Sequence, residues 1–130
     1  MLVEIFSICD AATSEGGKLN ILGAFDAIHV RQFPGVLAHC ALAIRLRFFT
    51  AERADHTVTV RFIDADGKNV LPPAGGGLKV AFPEGQRSAS FNLVLNIPGL
   101  KFEHPGDHSL ELLVDGEGIA SLPLEVKATL

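Results

Sequence analysis

The residues with chemical potential gather at a few points along the chain. The run Glu103-His104-Pro105-Gly106-Asp107-His108 places imidazoles and carboxylates side by side, and metal sites use these groups. Pro105-Gly106 forbids the helix that would set His104 and His108 on one face, so the spacing predicts a polar hairpin connection leading into a strand at Ser109. Zinc needs three or four converging ligands. His104, Asp107 and His108 are therefore candidates for a metal site, and neither a metal nor a cofactor is assigned to the chain.

A second acidic run, Asp64-Ala65-Asp66-Gly67-Lys68-Asn69, resembles a calcium loop only at its start. An EF-hand wants Gly at its sixth position and a bidentate Glu at its twelfth, and those positions hold Asn69 and Gly75. Asp66-Gly67 between strands reads as a turn. Cys40 follows His39, but neighbours on a strand point to opposite faces and form no local dyad. No G-x-S-x-G elbow occurs. Gly75-Gly76-Gly77 lacks the Lys-Ser/Thr of a phosphate loop and reads as flexible chain within the Pro72–Gly77 loop. No catalytic residue is assigned, and the balance falls against an enzyme.

The elements that must carry these groups are short and extended. Turn residues recur at Glu15-Gly16-Gly17, Pro34-Gly35, Asp66-Gly67, Pro83-Glu84-Gly85, Pro98-Gly99, Pro105-Gly106 and Asp115-Gly116, leaving little room for helices. Between them apolar residues alternate with polar ones: Leu42, Ile44, Leu46 and Phe48; Val58, Val60 and Phe62; Phe91, Leu93, Leu95 and Ile97; Leu110, Leu112 and Val114; Leu122, Leu124 and Val126. Alanines in Val36–Arg53 would suit a helix, yet the alternation from Leu42 to Phe48 favours a strand. Leu19 and Ile21 are odd-numbered and Ile28 and Val30 even-numbered, so a β-bulge near Gly23 is expected to bend one strand into both sheets. The pattern predicts an all-β fold: a single antiparallel β-sandwich over residues 1–130, jelly-roll or Ig-like, with about eight or nine strands.

Outward-phase residues suggest two surfaces. If residues 42–49 and 57–63 pair as a hairpin, Arg45, Arg47 and Arg61 form a basic stripe with Thr57 and Thr59, suited to an anion or an acidic partner. Ile63, Val94 and Leu113 are apolar where alternation predicts solvent, as at a protein interface. A net charge of −4 without a Lys/Arg cluster argues against nucleic acid. No apolar stretch reaches the length of a membrane helix, and Glu4 and Asp10 confine the apolar N-terminal run, so no membrane association and a cytoplasmic location are expected. Cys9 and Cys40 are read as reduced, buried thiols. The absence of Trp and Tyr disfavours a sugar platform.

Cys9-Asp10 followed by Gly17-Lys18-Leu19-Asn20-Ile21-Leu22-Gly23-Ala24-Phe25-Asp26 carries a resemblance. The chain resembles a bacterial family of small proteins known as a domain of unknown function, through Phe33-Pro34, Phe62–Gly67, Pro98-Gly99-Leu100 and the hairpin at Gly106. The resemblance implies a β-sandwich and brings no established activity and no site residues. Residues and resemblance together point to a non-enzymatic binding or assembly module, a homo-oligomer or protein-partner subunit with no known small-molecule ligand. The alternatives are a small metal-dependent protein or enzyme using the Glu103–His108 loop and a module recognising an anion or an acidic partner through the arginine stripe.

Overall fold

Every segment with a two-residue apolar rhythm is extended in the computed structural model, which describes residues 1–129. The strands are β1 (Leu2–Glu15), β2 (Lys18–Ala24), β3 (Ala27–Val30), β4 (Gly35–Phe49), β5 (Asp55–Asp64), β6 (Ala74–Lys79), β7 (Ser88–Phe102), β8 (Gly106–Val114) and β9 (Glu117–Ala128). One sheet has the order β2-β1-β4-β7 and the other β3-β9-β8-β5-β6. All pairings are antiparallel except β3 with β9, which is parallel. That pair departs from the purely antiparallel expectation because β3 enters the second sheet from the first.

The sheets stack on their apolar phases. Leu42, Ile44, Leu46 and Phe48 of β4 are buried with Val58, Val60 and Phe62 of β5, Leu110 and Leu112 of β8, and Leu124 and Val126 of β9. Residues 35–49 are thus a strand throughout, and their alanines serve another purpose. Pairing of β1 with β4 ends at Cys9–Ala41. Beyond Cys9 the β1–β2 hairpin folds back across the outer face of its own sheet. Ala12 and Leu19 pack on the buried trio Cys9, Ala41 and Ala43, whose small side chains permit the close approach. The hairpin tip is pinned there, with the Gly17 carbonyl 3.2 Å from Asn92 Nδ2.

The switch of inward parity occurs where expected but not through an inserted residue. The β1–β2 register is constant from Glu15–Lys18 to Cys9–Ala24. Gly23 instead adopts φ +68°, and a Cβ there would collide with the Asp10 carboxylate. Chain direction changes at this left-handed residue, which only glycine occupies cheaply. Phe25-Asp26 then carries the chain across, with the Phe25 N–H donating to the Ile8 carbonyl at 3.1 Å.

A second difference concerns the glycine run. Residues 74–77, expected as part of the flexible Pro72–Gly77 loop, instead belong to the edge strand β6, which runs along β5. Backbone hydrogen bonding to β5 holds the run extended without help from side chains.

Candidate functional site

Strands β6 and β7 end their respective sheets and flank one side of the sandwich. Directly opposed residues of an antiparallel pair share a face. Ala74 lies opposite Val60, Gly76 opposite Val58, and Leu78 opposite His56, so these β6 positions share the inward face of the buried Val58 and Val60. At Gly76 the core layer lacks a side chain: a Cβ built there meets nothing within 4 Å. Gly76 lines a cleft of about 160 Å³, which adjoins a second of about 240 Å³ at Val60, Ala74 and Leu95. Among the described residues Asn96 is the one polar side chain lining them, and no charged residue does.

The other wall is β7. Its inward phase is Phe91, Leu93, Leu95 and Ile97, as the alternation indicates, but all four are only half-buried. The backbone polarity of this strand follows from two observations. The Thr50 N–H donates to the Arg87 carbonyl at 3.1 Å, so odd-numbered residues turn their polar groups toward β4. Pro98, opposite His39, has no N–H and sits where the nitrogen faces away from β4. Ser90, Asn92, Val94 and Asn96 therefore direct backbone N–H and C=O groups to the free edge. No charge interrupts Ser88–Leu100, although natural sheets usually blunt an exposed edge with one.

The two acidic loops singled out in the sequence meet at one end of the sandwich. Asp64, Asp66 and Lys68 from one, and Glu103, His104, Asp107 and His108 from the other, line a polar cleft of about 500 Å³. Asp64 is structural: its Oδ1 accepts the N–H groups of Asp66 and Lys68, each at 2.9 Å. The Lys68 amide leads in holding its carboxyl below the usual range, and the Asp66 amide adds to it. The turn reading of this loop holds. His108, expected in a loop before a strand at Ser109, instead lies inside β8, two residues after its start, in phase with Leu110 and Leu112. Asp107 and His104 are exposed. Among the described residues no three His, Cys, Asp or Glu side chains are grouped to hold a metal ion.

The arginine stripe is not formed. Residues 42–48 and 57–63 belong to different sheets, and because their apolar phases face each other across the core, their outward phases point to opposite sides of the molecule. Arg45 and Arg47 both bind Glu4, with Nε–Oε distances of 2.9 Å. Arg45 Nη1 also donates to Asn92 Oδ1 at 2.9 Å, beneath the hairpin tip. Arg61 pairs with Glu111 across the β5–β8 ladder at 2.9 Å. Ile63 and Leu113 lie on the five-stranded sheet and Val94 on the four-stranded one, so the three do not make one contiguous patch.

Cys9 and Cys40 are free thiols without solvent exposure, on opposite faces of the sheet. Burial pushes the Cys40 thiol up to about 11. A charged cluster that sequence alone did not reveal surrounds His56. Its Nδ1 lies 2.7 Å from Asp115 Oδ2 and its Nε2 2.7 Å from the Glu52 carbonyl, with the ring stacked on Phe48 at 4.8 Å. Both partners only accept, so the site favours the imidazolium form, in which both nitrogens donate. The Glu52 carbonyl, then Asp115, raise its pKa. Gly76 was also unforeseen; Leu78 and Val80 continuing its even-numbered phase were the available signal.

Among the described residues no helix is long and apolar enough to cross a membrane. No curated protein matches the chain. The fold is similar to part of the Pseudomonas fluorescens alkylpurine DNA glycosylase AlkC bound to DNA containing an abasic site analog, at 18% identity and TM-score 0.50, covering 79% of this chain and 28% of that one. It is also similar to part of a β-glucosidase from Listeria innocua in complex with glucose, at 11% identity and TM-score 0.53, covering 96% and 16%. The chain thus spans less than a third of either protein, and at these identities the likeness is one of fold alone. Residues 4–127 match a family of unknown function, DUF6941, and the chain belongs to that family.

Proposed function

We propose that this protein is a non-enzymatic assembly module whose working surface is the open β6–β7 side, and that the occupant is the same side of a second copy. The observation that carries this is the apolar gap left by Gly76 beside a charge-free edge strand. Strand β7 is suited to pair with itself in antiparallel fashion about Val94. Leu93 then faces the partner's Leu95, Phe91 faces the partner's Ile97, and Asn92 faces the partner's Asn96. Apolar residues meet apolar ones on the inner phase, and the edge groups of Asn92, Val94 and Asn96 find hydrogen-bond partners. Such a contact is isologous and closes at two subunits instead of growing into a filament. Gly75–Gly77, without side chains, lets the two β6 edges approach.

Sedimentation equilibrium of the wild type against Val94→Glu tests this. The substitution sets two carboxylates opposite each other at the axis, where like charges repel. A concentration-dependent dimer that Val94→Glu converts to monomer is the expected result. A wild type monomeric up to ~100 μM, well above the concentrations of specific complexes, would overturn the proposal. So would a dimer indifferent to Val94→Glu.

A further inference from the structure

The apolar clefts of the β6–β7 side lie between the two sheets, whereas the hydrogen bonds of a β7–β7 pairing run within the plane of one. Self-association therefore roofs the clefts and leaves their interior to be filled. Their floor is core: Leu42 and Ile44 from one sheet and Val58 and Val60 from the other are all buried. Gly76 adds no side chain to this floor, and a Cβ there meets nothing within 4 Å. An apolar cavity of about 150 Å³ with aliphatic walls stays dry and takes up an apolar guest. These clefts measure about 160 and 240 Å³.

Shape and polarity narrow the guest. The clefts share Val60, Ala74 and Leu95, and together they follow β7 from Leu93 to Pro98, about 17 Å at ~3.4 Å per residue. Stacked sheets are only about 10 Å apart, so the space is long and narrow. It suits an unbranched chain better than a fused-ring system. The Leu93 end is bounded by Leu78 and Val94 and lies at the proposed two-fold axis. The Pro98 end carries Asn96 and the exposed Pro72, so a polar head can reach solvent there. Among the described residues no charged one lines either cleft, so nothing inside neutralises a buried charge.

We infer that the paired β6–β7 side encloses one unbranched aliphatic chain per copy, its methyl end beside Gly76 and its polar head beside Asn96. This rests on the reading of that side as the assembling one, because the partner's β7 supplies the roof. Dodecanoate is the probe, and dodecanedioate, which must bury a second carboxylate at the axis, is the control. Methyl NMR of Ile44, Val58, Leu93 and Leu95 follows binding, and sedimentation equilibrium of the same samples gives the subunit state. The expected result is a dimer whose methyl shifts saturate with dodecanoate below about 1 mM, with dodecanedioate at least tenfold weaker. Gly76→Val, which fills the methyl end, and Ala74→Leu, which blocks the junction, should each weaken dodecanoate binding at least tenfold. Two positions keep the test decisive if one variant misfolds. A dimer without saturable shifts, dodecanedioate binding as tightly, or both variants binding like the wild type overturns the inference and leaves the assembly reading standing. A wild type that stays monomeric with and without dodecanoate overturns that reading and this one with it.

Discussion

Replacing Gly76 with valine should stabilise the protein, although most substitutions destabilise theirs. The inward-facing position opposite Val58 has no atom within 4 Å of a Cβ, and the adjoining space of about 160 Å³ is lined by Ile44, Val58, Val60, Leu93 and Leu95. A fully buried valine contributes about 1.5–3 kcal/mol. The gap opens to solvent, so half of that, about 1 kcal/mol, is the reasonable share. Removing a glycine from a strand adds about 0.5–1 kcal/mol through the unfolded chain. The expected gain is about 1.5–2 kcal/mol, or about 4–8 °C in Tm for a chain of this size. Urea unfolding should be measured in the Val94→Glu background, because association itself raises apparent stability. A Tm equal to or below the parent's would show that the core layer has no vacancy at Gly76, and the open side would lose its physical basis.

Further consequences concern other parts of the fold. The folded pKa of His56 lies above its unfolded value, so its contribution is whole below about pH 6.5 and fades as pH rises through the folded value. Asp115, lowered chiefly by His56 and then by the Thr57 amide, acts in the opposite sense and loses its contribution as pH falls below about 4. Urea midpoints for the wild type minus His56→Phe, which keeps a ring on Phe48, should therefore peak between these limits and decline on either side. Gly23→Ala should cost at least about 1–2 kcal/mol, since it combines a left-handed alanine with a collision at Asp10, and thermal unfolding reads it directly. The native protein should leave Cys9 and Cys40 unmodified by a thiol reagent at pH 8, with both reacting once urea unfolds the chain.

Much of the scaffold was legible because alternation records which side of a strand is buried. Leu42–Phe48 and Leu110–Val114 are buried as their phase indicates. Phase says nothing, however, about which strands are neighbours. Residues 42–49 and 57–63 read as a hairpin, but each belongs to an inner strand of a different sheet, which separates Arg45 from Arg61. The hairpin folded over Ala41 and Ala43 was equally hidden, since alanine signals close approach only once something approaches. Loop residues 64–69 and 103–108 were each found wanting as a site, and nothing local in either recorded that the fold would bring them together. Gly76 was not legible for the plainest reason: a vacancy is a side chain that is not there.

Amide hydrogen exchange along β7 bears most directly on the open side. In a single copy the N–H groups of Ser90, Asn92, Val94 and Asn96 face solvent while their odd-numbered neighbours bond to β4. As protein concentration rises through the association range, protection should grow at Asn92, Val94 and Asn96 while the odd-numbered amides stay protected throughout. Rapid exchange of those three at every concentration would contradict the assignment of β7 as the assembling edge.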